Sequence, residues 1–177
     1  MDVLELIKKR RSCRSYKPDP VPSDVVEEII EAGIWAPSAM NRQDWKFVVL
    51  DDREKVRQAA GSALKLVKKN LPSYTPRDLP DPIFYSAPVV IMITMPEENT
   101  WAASDSALAA ENMMLYSRAQ GIGSCFIGLA KFLNDNQHML KKIGVPERYR
   151  IYATLVFGYP KEWPKQVERK EPGEYTI

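Results

Sequence analysis

Arg10, Arg11 and Arg14 flank Ser12 and Cys13, so three guanidinium groups, a hydroxyl and a thiol fall within five positions. A guanidinium is a planar fork of donors that stays protonated, which suits a phosphate or another flat anion. The net charge of the chain is only +2, so this is a local concentration of cations and not a generally basic protein. Cations are also favoured at a helix C-terminus by the dipole, and a solvated charge run would look the same. Both readings are open on these residues alone.

Several chemistries lack their residues. His138 is the only histidine, and it sits in a polar stretch. A histidine-based zinc site or a Ser-His-Asp triad therefore has little to draw on, and no nucleophile elbow is present. Cys13 and Cys125 are far apart and form no CxxC pair. There is no P-loop and no GxGxxG following a strand. Chemistry carried by a bound organic cofactor remains, with the protein supplying donors and a shaped cavity. Two segments fit a flat ligand. Residues 36–43 join small side chains to amide and hydroxyl donors, and residues 124–129 carry Gly128 near a strand end. An ordinary helix-to-strand loop and a bulged core strand are the plain alternatives.

The elements that must position these residues follow from periodicity. Val3, Leu4 and Ile7 predict a first helix ending at residues 8–11. A second is expected over 23–34, with Ser23 as N-cap and Pro37 beyond its end. Residues 45–50 read as a strand, and Asp51-Asp52 opens a helix. Residues 71–88 carry Pro72, Pro76, Pro80, Pro82 and Pro88, which excludes a helix. That stretch is an ordered excursion or lid, or else a passive loop. Residues 89–95 are an unbroken apolar run and predict a buried strand.

The longest helix is expected over 102–120. It is apolar nearly all round, which suits core on one side and a second subunit on the other, or a central helix in a monomer. A short strand over 124–129 and a helix over 133–143, capped by Asn134 or Asp135, should follow. Residues 150–158 predict a central strand. The tail, 159–177, has too little apolar material to fold alone. It is either disordered or laid along something else.

Composition bounds the rest. A chain of 177 residues with 45% hydrophobic and 27% charged side chains is expected to form one domain with a substantial core. Near-balanced charge argues against a dedicated nucleic-acid binder. No apolar run reaches the length of a membrane span. The N-terminus has no apolar signal core, and with scattered cysteines the expectation is a cytoplasmic protein.

In order along the chain, Arg10-Arg11-Ser12-Cys13-Arg14-Ser15-Tyr16, residues 36–45, Ala107-Leu108-Ala109-Ala110-Glu111-Asn112-Met113, residues 121–128, Gly158-Tyr159-Pro160 and Arg169-Lys170 resemble the blocks of the nitroreductase family. The resemblance covers nearly the whole chain. It implies an α+β three-layer sandwich whose central sheet is mixed but mostly antiparallel. It also implies a homodimer with two FMN molecules at the interface and a C-terminal tail wrapping the partner. Arg10 and Ser12, with Arg11 beside them, would hold the FMN phosphate, joined by Arg169. Arg14 would be the cation beside the pyrimidine edge of the flavin. Pro37, Ser38, Ala39, Met40, Asn41 and Gln43 would reach a flavin held mainly by the other subunit. Ile127, Gly128 and Leu129 would face the ring near N5.

The resemblance further implies a ping-pong oxidoreductase taking hydride from NADH or NADPH and passing electrons to small electron-poor aromatics, nitro compounds or quinones. Dehalogenation, enoate reduction, flavin destruction or non-catalytic flavin binding would use the same fold. The chain departs from the family pattern in three places. Asp44 stands where many members carry proline. Val167 stands where some carry a second phosphate-binding lysine, with Lys165 or Lys170 as substitutes. Residues 71–88 match no family pattern and are expected to cover the substrate face.

Overall fold

A computed structural model describes residues 2–170 and 173. Its centre is a four-stranded sheet in the order β1 (Lys46–Leu50), β2 (Val89–Pro96), β4 (Tyr149–Gly158), β3 (Gly123–Phe126). All three pairings are antiparallel, and among the described residues the sole parallel component is an isolated bridge between Ser12 and Ser124. β2 and β4 are central, as their continuous apolar character requires.

The two sheet faces bury different sets of side chains. Val90, Met92 and Val156 face one core with α3 (Arg53–Asn70) and α5 (Gln137–Ile143). Val89, Ile91, Ile93, Leu155 and Phe157 face the other, with α2 (Ser23–Ile34) and α4 (Ala102–Ala119). The result is three layers. Ile151 and Ala153 would share a face in a regular strand, yet they enter opposite cores. Ile93 pairs with Ala153 and Thr94 with Ile151, so Tyr152 is the extra residue of a bulge and the side-chain parity flips there.

Several boundaries differ from expectation. Pro22, extended at φ −57° and ψ 144°, occupies the N-cap of α2, so Ser23 is the first helical residue and makes no capping bond. Proline supplies the fixed φ there without needing a donor. α3 runs through Gly61 and equals α4 at 18 residues, so α4 is not the single longest helix. Asp52 caps α3 by accepting from the Lys55 amide at 2.8 Å. β3 ends at Phe126. Gly128 and Leu129 open a 3-10 helix, Gly128–Asp135, instead of ending a strand. The expected helix over 133–143 is divided accordingly. Its cap is neither Asn134 nor Asp135 but Asn136, whose side chain accepts from the Met139 amide. Asn134 is committed elsewhere, exchanging two hydrogen bonds with the backbone of Ile151.

Residues 71–88 contain no helix, as their prolines dictate. They are anchored and not detached. Ile83 and Phe84 are fully buried, and the Asp81 carboxylate accepts from the amides of Ile83, Phe84 and Ser86. Between this segment and α3 lies a groove of about 550 Å³ lined by Val56, Ala60, Leu64, Pro80 and Pro82 among others. None of residues 10–14, 37–43 or 127–129 lines it.

The chain beyond β4 first folds back on its own N-terminal segment. The Lys17 amide donates to the Tyr159 carbonyl at 2.8 Å and the Lys161 amide to the Ser15 carbonyl at 3.1 Å. Residues 171, 172 and 174–177, where the wrapping tail would end, lie outside the described residues. Two glycines make this docking possible. Gly123 and Gly158 are cross-strand partners. A Cβ on Gly123 would lie 2.8 Å from Cys13 Sγ, and one on Gly158 would lie 2.6 Å from Pro88 Cδ and 3.0 Å from Tyr16 Cδ1.

Gly158→Ala is expected to destabilise the protein by about 1–3 kcal/mol in urea denaturation, the usual cost of overpacking. Burial pushes the Cys13 thiol up from 9.0 to about 11. The thiol therefore ionises first in the unfolded chain. Its contribution to stability is full below pH 9.0 and is lost as pH rises through about 11. Denaturation midpoints across that range should fall, and Cys13→Ala should shallow the decline.

Candidate flavin site

The arginine cluster is positioned by α1 (Val3–Lys9) and by the edge of β3. α1 ends at Lys9, and the backbone extends from Arg10 onward. The Cys13 amide then donates to the Ser124 carbonyl at 2.8 Å, and the Tyr16 hydroxyl donates to the Cys13 carbonyl at 2.6 Å. Cys13 and Tyr16 are buried while Arg14 and Ser15 between them are exposed. This in-and-out pattern lays the cluster along the sheet edge with its cations outward.

The three guanidinium groups are not equivalent. Arg10 donates through Nε to Glu111 Oε1 on α4 at 3.0 Å. That bond uses the Nε edge, and its two Nη groups make no bond among the described residues. Arg11 turns back, donating through Nη1 to the Arg10 carbonyl at 2.6 Å. Arg14 is exposed, with one long contact of 3.4 Å from Nη1 to the Ser12 carbonyl. Ser12 is half-buried beside Cys125. Burial raises the Cys125 thiol, and Arg14 and the Ser12 hydroxyl oppose that shift, so the cations reach into this corner.

The loop over residues 36–43 is shaped by strain. Met40, Asn41 and Gln43 all hold positive φ between 52° and 54°, an uncommon state for residues other than glycine. Asp105 compensates. It is a buried carboxylate on α4 whose two oxygens accept from the Ala39 amide at 3.2 and 3.3 Å. Ser38 Oγ accepts from the Gln43 amide, and Gln43 donates to Asn41 Oδ1. Pro37 and Met40 are exposed. Asp44 has a structural use: it accepts from Arg42 Nε at 2.7 Å and from Asn99 Nδ2 at 3.0 Å. The loop is thereby tied to the turn before α4.

Asp105 and Glu111 are six residues apart on α4. At the rise and twist of an α-helix they sit about 9 Å apart along the axis and point about 120° apart around it. Among the described residues, no hydrogen bond or ion pair joins 37–43 to 10–14. One helix therefore holds two half-sites on different faces. Ile127 is buried and donates its amide to the Thr154 carbonyl at 2.8 Å. Gly128 is exposed with open space where a Cβ would be, and Leu129 packs on the core beneath. A hollow of about 130 Å³ lies beside them, lined by Phe126, Lys131 and Tyr152. Arg169 is exposed and makes no bond to 10–14 among the described residues.

The donor set fits a flavin nucleotide. Arg10, Ser12 and Arg14 present cations and a hydroxyl on a fixed backbone, and Gly128 leaves backbone uncovered. No cluster of metal-ligating side chains occurs among the described residues. Sequence reading gave no individual role to Asp105, Glu111, Arg118 or Trp163. Their signal was present in part. α4 carries three charged residues, and two of them, Glu111 and Arg118, are seven residues apart and share a face.

Comparison with known proteins agrees with this geometry. The Nitroreductase family matches residues 7–159. A crystal structure of a nitroreductase with bound FMN from Bacteroides fragilis superposes with a TM-score of 0.88 at 31% identity, covering 100% of this chain and 98% of that one. A Thermus thermophilus protein named NADH dehydrogenase is 28% identical over 92% of this chain and 88% of its own length. A Thermotoga neapolitana protein named iodotyrosine deiodinase is 22% identical over 96% and 94% respectively. The match spans the arginine cluster, the strained loop, α4 and the β3 edge together, and the chain belongs to the nitroreductase family.

Proposed function

We propose that this chain is an FMN-dependent NAD(P)H oxidoreductase that reduces electron-poor aromatics such as quinones and nitro compounds. The observation that carries the proposal is the arginine cluster docked on β3, with the Arg10 Nη groups and Arg14 free of carboxylate partners among the described residues. When bound, FMN would supply the redox chemistry, taking two electrons from a nicotinamide and passing them on after it leaves. The chain's own residues bind and tune. Arg10 and Ser12 would hold the phosphate, with Arg169 reaching it from the tail. Arg14 would place a permanent cation where negative charge develops on reduction, favouring the two-electron process. Gly128 would admit the ring close to backbone. No protein acid or base is required, since solvent supplies protons.

We further propose a homodimer with the flavin shared across its seam. Two observations support it. The half-sites on α4 diverge within one chain. Moreover, α1 buries none of its residues, leaving Val3, Leu4 and Ile7 exposed alongside Trp35, Met40, Trp101 and Leu108. A seven-residue helix with nothing buried is not stable by itself in water, so a covering surface is expected. The match to a protein named iodotyrosine deiodinase keeps reductive dehalogenation as a second reading of the same site.

The purified protein should be yellow and dimeric, release FMN on denaturation, and oxidise NADH or NADPH with a quinone acceptor. A colourless monomer that ignores added FMN would overturn the proposal, and deiodination of an iodophenol without quinone turnover would favour the second reading. Arg10→Ala should weaken FMN binding roughly tenfold or more, since charge-assisted hydrogen bonds contribute about 1.5–3 kcal/mol each. Arg14→Ala should retain flavin yet lower its reduction potential in a spectroelectrochemical titration.

A further inference from the structure

Arg118 stands two turns beyond Glu111 on α4 and faces the same way. Its Nε–H donates to the carbonyl of Lys9, the last residue of α1, at 3.1 Å. Its guanidinium lies over the ring of Trp163, 3.6 Å from the centroid. Trp163 is half-buried and arrives there because the chain after β4 pairs with residues 15–17. Among the ion pairs of the described residues, none involves Arg118. One face of α4 thus grips both sides of a single point. Glu111 holds the Arg10 side chain, and Arg118 holds the carbonyl one residue before it.

These contacts act on orientation more than on cohesion. The Lys9 carbonyl is one of the unsatisfied acceptors at the end of α1. Fixing it sets the direction in which the extended backbone leaves the helix, and so where Arg10, Arg11 and Ser12 point. The stacked tryptophan keeps Arg118 from rotating toward solvent, and it also starts the segment that carries Arg169. Stacking on an aromatic face leaves the guanidinium edge free to donate.

We propose that Arg118, clamped between the Trp163 ring and the Lys9 carbonyl, is a positioning residue that pre-forms the anion grip of Arg10 and Ser12 for the phosphate of the cofactor. The proposal rests on the flavin reading above and extends it to two residues that would not touch the flavin ring. A residue that organises the phosphate grip should matter for FMN and not for riboflavin, which has the same ring without the phosphate. A residue that merely holds the fold together should affect both alike.

The test is the affinity of the full-length protein for FMN and for riboflavin, measured by flavin fluorescence quenching, with thermal unfolding alongside. Trp163→Leu keeps an apolar cover but removes the π face, and Trp163→Phe keeps a smaller π face. Trp163→Leu and Arg118→Gln should each weaken FMN about three- to tenfold and leave riboflavin unchanged, while Trp163→Phe should recover most of the loss. Equal losses for the two flavins, or no loss of FMN affinity in Trp163→Leu and Arg118→Gln, would overturn the positioning role. A wild-type protein that binds FMN no more tightly than riboflavin would overturn the phosphate reading itself, and the positioning role with it.

Discussion

A slot left by two missing side chains holds the site together. Gly123 and Gly158 face one another across β3 and β4, and the space above them is filled by Cys13, Tyr16 and Pro88. Cys13 can come close enough for its amide to reach the Ser124 carbonyl only because Gly123 has no Cβ. That bond and the Tyr16–Cys13 bond turn a polar connection into an extra, edge-like segment of the sheet. Arg14 then projects from a segment tied to the β-ladder beneath it, and Arg10 is held against Glu111 on the other side of Cys13. A loop carrying the same arginines without this docking would have to order them on binding, at a cost in conformational entropy that lowers affinity.

α4 distributes the work. Its apolar residues join the core against β2 and β4, while its three charged groups each hold a different piece of the periphery. Asp105 stabilises the strained 36–43 loop, Glu111 orients Arg10, and Arg118 fixes the end of α1 and the start of the tail. Charged groups inside a largely apolar helix are costly to bury unless paired, and each of these has a partner. The consequence is functional. The arginine cluster and the strained 36–43 loop are referenced to the same helix, so their relative position within the chain is set by helix geometry and not by loop flexibility.

The departures noted in the chain acquire physical explanations of different kinds. Asp44, where the family resemblance implies proline, links Arg42 to Asn99 through two hydrogen bonds. Residues 71–88 are held by Asp81 and by the burial of Ile83 and Phe84, which gives the proline-rich stretch a fixed course along α3. Tyr85 and Ser86 adopt positive φ there, and the carboxylate of Asp81 compensates by satisfying the amide of Ser86.

Local pattern was enough for much of the chain. The apolar run of β2, the central place of β4, the start of α3 after Asp51-Asp52 and the failure of 71–88 to form a helix all follow from side-chain periodicity, capping chemistry and proline, which act within a few residues. The family was legible through the order of its motif blocks along the chain, whereas the residues by themselves pointed only to chemistry carried by a bound organic cofactor. What sequence left undetermined depends on contacts between distant residues. Asn136 caps the helix over 137–143 in place of Asn134, because Asn134 is claimed by the backbone of Ile151. The parity flip at Tyr152 arises from register with β2. The unequal roles of Arg10, Arg11 and Arg14 come from Glu111, a carbonyl and solvent, respectively. Trp163 meets Arg118 only because the chain after β4 returns to pair with residues 15–17. Propensity acts locally, whereas partners separated by tens of residues are chosen by packing, and only the tertiary structure decides them.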